Sequence, residues 1–187
     1  MRKLLLAGLV ALCVGCTTAA KQALYTAAGP QGAYLVIEAG SESPLAAYDQ
    51  AEVALFANDL PGIIDNSLVL AVQSEIVTVL SEKAIFLEVK AVPSYQQGKT
   101  DSPTVVIRGH LVDITSDKIP GQKLIGGGNH LIAVVEMVDK SSGKVLAKAN
   151  LRGVVKSVVE VGERHLAVGM AKAAEKLCHR LRRGVKE

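Results

Sequence analysis

The chain has 187 residues, with 21 Lys and Arg against 18 Asp and Glu and a formal charge of +3. It contains no Trp, two Phe and four Tyr, too few for an aromatic platform on which single-stranded nucleic acid could stack, so nucleic acid is not an expected partner.

Arg2 and Lys3 precede an apolar run from Leu4 to Val14, followed by Gly15-Cys16 and the small residues Thr17, Thr18, Ala19 and Ala20. This is the layout of a bacterial secretion signal. Eleven apolar residues fall short of the roughly 18 to 20 that span a bilayer as a helix, so no permanent transmembrane anchor is expected. Leu12-Cys13-Val14-Gly15-Cys16 resembles the lipobox of bacterial lipoproteins, with Cys13 standing where that family usually carries leucine or another aliphatic residue. The resemblance implies cleavage before Cys16 and a diacylglycerol on its sulfur. Thr17 in place of Asp implies, by the same resemblance, sorting to the periplasmic face of the outer membrane. Such an anchor suffices physically, since each buried methylene contributes roughly 0.8 kcal/mol and two or three acyl chains hold firmly where one holds reversibly.

Without the signal (residues 1–15) the chain has 172 residues, 19 basic and 18 acidic, and is nearly neutral. That length fits one domain. Cys13 leaves with the signal and Cys16 takes the lipid, so Cys178 has no intramolecular partner and a disulfide framework is excluded. Its place between Leu177 and Leu181 predicts a small buried apolar residue.

Residues 16–32 are small and polar, broken by Gly29-Pro30 and Gly32, and read as a flexible tether to a single domain over residues 33–187. Strands are predicted at residues 33–38 and 51–56. Asp65-Asn66-Ser67 supplies a helix cap, and Val69, Val72, Ile76, Val79 and Leu80 continue at helical spacing to Lys83. A strand over residues 84–92 and a polar loop over 93–103 follow. The next segments form a meander: strand 104–115, a loop with Gly126-Gly127-Gly128, strand 129–139, a turn at Lys140-Ser141-Ser142-Gly143 and a strand from Lys144 to about Val161. In the last of these Leu151, Val155 and Val159 alternate against Arg152, Lys156 and Glu160. A helix from Glu163 to about Arg183 carries the stripe Leu166, Met170, Ala173, Leu177 and Leu181. These elements predict an α+β, two-layer domain, with a mostly antiparallel sheet and two helices packed on one face.

No residue set points to catalysis, to a metal or to a cofactor. The triple glycine is followed by a strand, whereas a phosphate cradle needs a helix amino terminus. Ser141-Ser142-Gly143-Lys144 has the Ser-x-x-Lys spacing of penicillin-interacting serine enzymes, but it sits in a turn without the companion motifs. His110, His130, His165 and His179 lack metal-site spacing. His110 and His130 lie on strands that could be neighbours, near Asp113 and Glu136, and are expected to be solvated or core-satisfied. Lys172, Lys176, Arg180 and Arg183 form a basic stripe on the last helix. A solvated face near the helix carboxyl end is the plain reading, and contact with an anionic surface the alternative.

The lipobox, the strand with Arg108-Gly109, the glycine cluster, Val138-Asp139 and Ser142-Gly143-Lys144-Val145-Leu146 together resemble the uncharacterised outer-membrane lipoprotein domains of Gram-negative bacteria. More distantly the element order is similar to the lipoprotein activators of penicillin-binding proteins and the periplasmic domain of the curli-secretion lipoprotein. The resemblance implies a small α/β domain that docks onto envelope partners, and the expected function is a non-enzymatic interaction module, tethered to the membrane through acylated Cys16, that docks onto another envelope protein. A lipid-binding auxiliary of a transport system is the alternative, and it requires an apolar groove between sheet and helices.

Overall fold

The structure is a computed structural model that describes residues 29–116, 128–156 and 163–184. Seven strands form one sheet: β1 (Gln31–Ala39), β2 (Gln50–Ala54), β3 (Ala57–Asn58), β4 (Glu88–Val92), β5 (Thr104–Ser116), β6 (Gly128–Asp139) and β7 (Val145–Lys156). Two helices, α1 (Asn66–Glu82) and α2 (Glu163–Arg183), complete the described fold. The strand order is β1-β7-β6-β5-β2-β4, with β3 beside β5. The expected α+β architecture is present. The sheet is antiparallel from β1 to β5, whereas β2 inserts parallel to both β5 and β4.

The β5–β6–β7 meander follows the predicted alternation. Ala147, Ala149, Leu151 and Val155 on β7 and Leu131, Ala133, Val135 and Met137 on β6 are buried and join the same core as both helices. Lys148 and Arg152 on β7 and Glu136 on β6 alternate with them and face away from it. The helices touch each other and lie on that one face. Helix α1 starts where Asp65 accepts a hydrogen bond from the Ser67 amide at 2.8 Å, which also lowers the Asp65 pKa. Of its expected stripe, Val69, Val72, Ile76 and Leu80 are buried, and Val79 is half-buried against the same core.

Three boundaries differ from the sequence expectation. Strand β1 begins at Gln31, inside the stretch read as tether. The strand expected over 84–92 begins at Glu88, because Ala84, at φ +47°, turns the chain after α1 and Ile85 and Phe86 enter the core instead. The strand expected over 51–56 divides into β2 and β3 around Leu55 and Phe56.

Helix α2 lies unusually close to the sheet. Gly32 on β1 and Gly153 on β7 are cross-strand partners, and both face the α2 backbone around Gly169. A Cβ on Gly32 would sit 2.2 Å from the Ala173 nitrogen and 2.6 Å from the Gly169 oxygen; one on Gly153 would sit 2.8 Å from the Met170 nitrogen. Only a residue without a side chain permits this approach.

Candidate functional site: the open sheet face and its edges

The sheet face opposite the helices begins at β1, where Leu35 points away from the core side occupied by Tyr34 and Val36. Across β7, β6 and β5 it carries Lys148, Arg152, Glu136, Arg108 and His110. Glu136 accepts hydrogen bonds from Arg108 Nε at 3.1 Å and Nη2 at 2.8 Å, with Lys148 Nζ at 3.5 Å. The Arg108 hydrogen bond, ahead of the burial that opposes it, holds the Glu136 carboxyl below the ordinary range.

One end of this face is roofed by residues 93–103. The Tyr95 ring packs under the Arg108 guanidinium, 4.9 Å from ring centre to Cζ. The Gly98 amide donates to the Lys140 carbonyl at 3.1 Å, and Gln97 Nε2 donates to the Ser141 carbonyl at 3.1 Å. Beneath lie Val106 and Val138, cross-strand partners with no exposed surface, and the ion pair Lys140–Glu52.

Ser141-Ser142-Gly143-Lys144 is turn chemistry. Asp139 Oδ1 accepts from Ser141 Oγ at 2.6 Å, from the Ser142 amide at 2.6 Å and from Ser142 Oγ at 2.7 Å, while Gly143 takes φ +74°. Tyr48 donates to Asp139 Oδ2 at 2.7 Å. Burial opposes ionisation of Asp139, but these four donors outweigh it and hold the carboxyl well below the usual carboxylate range. Burial first, and then the bond to Asp139, pushes Tyr48 up to about 12.

The histidines are not assembled into a site. His110 faces Val134 and His130 faces Thr115, four positions apart along the β5–β6 ladder. His110 Nδ1 lies 3.1 Å from Asp59 Oδ1, and Arg152 Nε donates to His130 Nδ1 at 3.0 Å. Among the described residues no group of three or more His, Cys, Asp or Glu could hold a metal ion.

The basic stripe of α2 runs along β1. Lys172 Nζ donates to the Pro30 carbonyl and Lys176 Nζ to the Gly32 carbonyl, each at 2.9 Å, and Arg180 lies 6.0 Å over the Tyr34 ring. Four helical residues rise about as far as two strand residues, so positions 172, 176 and 180 match 30, 32 and 34. This engagement holds the start of β1 to α2. Arg183 is exposed. Cys16, the expected lipidation residue, and Gly126 and Gly127 lie outside the described residues. Cys178 is buried and free, and burial pushes its thiol up to about 12.

The roof over Val106 and Val138 and the glycine seat of α2 were not read from the sequence. The second left a signal: a glycine at position 153 inside a strand pattern and one at position 169 inside a helix pattern both mark close backbone approach.

No protein-family model matches the sequence, and no curated protein matches it significantly. Solved structures do match. PelC from Paraburkholderia phytofirmans, solved as a dodecamer, has a TM-score of 0.52 at 17% identity, covering 81% of this chain and 98% of that one. A point variant of the same protein, again a dodecamer, has a TM-score of 0.51 at the same identity and coverage. A lipoprotein from Neisseria meningitidis has a TM-score of 0.40 at 13% identity, over 70% of this chain and 98% of that one. The chain therefore shares the fold of PelC. The more distant resemblance to penicillin-binding-protein activators and the curli-secretion lipoprotein is not among these likenesses. Among the described residues no helix is long and apolar enough to cross a membrane.

Proposed function

We propose that the chain is an outer-membrane lipoprotein, held at the periplasmic face by acylated Cys16, that works without enzymatic chemistry as an assembly module of the cell envelope. Its first partner is further copies of itself, and the assembly is the platform on which another envelope protein docks. The observation that carries this reading is the layered architecture. Helices cover one sheet face and reach the edge strands β1 and β4 on that side, while most of the other face has no described element against it and neither edge strand has a further described strand beside it. PelC, a protein of the same fold, is a dodecamer, which gives self-assembly a precedent on this scaffold.

The lipid-transport reading draws no support from the core. Val72, Ile76, Leu80, Ile107, Leu131, Met170 and Leu177 would line a groove between helices and sheet, and each has no exposed surface. A cleft of about 420 Å³ does lie beside the α1 amino terminus, but Asn58, Gly62, Asp65 and Asn66 are among its lining residues, which is not the aliphatic lining a lipid chain needs.

The test is to express the native chain and Cys16→Ser in a Gram-negative host, fractionate the membranes, extract in mild detergent and analyse both by mass spectrometry. The reading expects the native chain in the outer-membrane fraction, acylated and multimeric, and the serine variant absent from it. Recovery of both in the soluble fraction as monomers would overturn it.

A further inference from the structure

Among the described residues, the most exposed large aliphatic side chains divide between the two ends of the sheet. Leu35 (65% exposed) and Ile37 (54%) lie on edge strand β1, with Val145 at the start of adjoining β7. At the other end Leu55 follows β2, Ile63 (68%) lies in the loop before α1, Leu70 is on the second turn of α1, and Leu87 precedes edge strand β4. Neither group belongs to the core.

Charge divides the same way. Residues 140–156, the β6–β7 turn and β7, hold five Lys or Arg and no acid, and the adjoining edge strand β1 adds one acid, Glu38, opposite Lys148, so this edge is net basic; residues 54–82, from the end of β2 through α1, hold four acids and no base. Part of each is neutralised internally: Lys140 pairs with Glu52, Lys148 shares Glu136 with Arg108, Glu75 pairs with Arg164, and Asp59 Oδ1 faces His110 Nδ1 at 3.1 Å. Lys144 and Arg152 remain exposed on the first, and Asp59 and Asp65 on the second.

We infer that these two surfaces bind each other between copies of the chain: the β1/β7 edge of one protomer, through Leu35, Ile37 and its basic residues, docks against the Ile63–Leu70 corner of the next, with its acidic residues. The inference rests on the self-assembly proposed above and supplies its interface. Because the surfaces are different and complementary, the contact is head-to-tail, and such a contact propagates from copy to copy, giving a ring where the rotation between neighbours closes and an open filament where it does not. Aliphatic burial supplies the attraction and the opposite charges set orientation and encounter rate. The start of β1 is not available for strand addition, since Lys172 and Lys176 already occupy the Pro30 and Gly32 carbonyls.

The test uses the acylated protein in mild detergent with native mass spectrometry. Leu35→Asp and Ile63→Asp, both at exposed positions, should each leave the fold unchanged by circular dichroism and yield monomers. Mixed one to one, they should form a dimer that grows no further, because each variant keeps the surface the other has lost. Wild-type association should slow as salt is raised. Variants that assemble as the wild type does, or a mixture that stays monomeric, would overturn the interface while leaving self-assembly intact. A monomeric wild type would instead remove the reading beneath it. Should either variant fail to fold, Leu35→Cys and Ile63→Cys chains mixed and oxidised should give an intermolecular disulfide, and no cross-link would refute the contact.

Discussion

Replacing Gly32 with alanine should destabilise the protein severely, although Gly32 lies in a stretch that reads as linker. The new methyl would meet the Ala173 nitrogen at 2.2 Å, the Gly169 oxygen at 2.6 Å and the Lys172 carbonyl carbon at 2.7 Å. All three atoms are helix backbone, so no rotamer relieves the clash. Reaching even 3.0 Å demands a shift of 0.8 Å between α2 and β1. That displacement loosens Lys172 and Lys176 from their carbonyls and the packing of Ala173 and Leu177, both fully buried. Overpacking of this kind costs typically 1 to 3 kcal/mol, and a purely backbone clash belongs at the upper end, about 3 kcal/mol. For a domain of this size each kcal/mol moves Tm by about 2 to 4 °C, so thermal unfolding followed by circular dichroism should show Tm lowered by roughly 10 °C, and urea unfolding a lower midpoint at unchanged slope. Gly98→Ala, where a Cβ meets nothing within 4 Å, is the control and should stay within about 0.5 kcal/mol. If Gly32→Ala melted with the wild type, the close seating of α2 on β1 would be wrong.

Gln73 is buried on α1, and its Nε2 donates to the Val53 and Val92 carbonyls, each at 2.8 Å, tying α1 to β2 and β4. Gln73→Leu leaves both carbonyls without that donor and should cost about 2 to 3 kcal/mol in urea unfolding; a neutral result would contradict the bridge. Asp139 has a folded pKa below that of the unfolded chain, about 3.9, so the unfolded state binds protons more readily. Its stabilising contribution is complete above that value and lost as pH falls below about 4. Unfolding titrations should show Asp139→Asn less stable than wild type at neutral pH, with a shallower loss on acidification; parallel curves would refute this. Tyr48 gives the opposite limb: its folded pKa, raised to about 12, lies above the unfolded value of about 10, so its contribution is present below about pH 10 and lost on rising toward 12. Cys178, buried and with its thiol pushed up to about 12, should resist a thiol reagent in the native state and react completely in denaturant. Rapid native labelling would contradict its burial.

The meander and both helices were legible because each carries a local period. Leu151 and Val155, an even number of residues apart, share one strand face against Arg152 on the other, and Val69, Val72 and Ile76 recur at helical spacing, so each strip announces its buried face. The parallel insertion of β2 was not legible, since no local pattern says that residues 50–54 pair with both 88–92 and 104–107. Ala84 to Leu87 looked like strand because Ile85 and Phe86 are β-formers, yet tertiary burial pulled them inward, where Arg182 reaches the Ile85 carbonyl and stacks on Phe86. Gly32 resembled linker because glycine serves flexible chain and tight packing equally, and only its partner across the interface distinguishes the two. The basic stripe read as a solvated face of the last helix, but Lys172 and Lys176 engage the Pro30 and Gly32 carbonyls, which depends on where that face lands. On the open face the residues were visible singly, while the opposition of basic β7 to the acidic segment 54–82 emerges only once the strand order sets them at opposite ends.

The most direct measurement is the native mass of the protein extracted in mild detergent from the membranes of the cells that make it. The account predicts a single closed multiple of one protomer, each copy cleaved before Cys16 and carrying its acyl chains. A protomer that is acylated but stays single at every concentration would contradict self-assembly, and one without lipid would contradict the anchor.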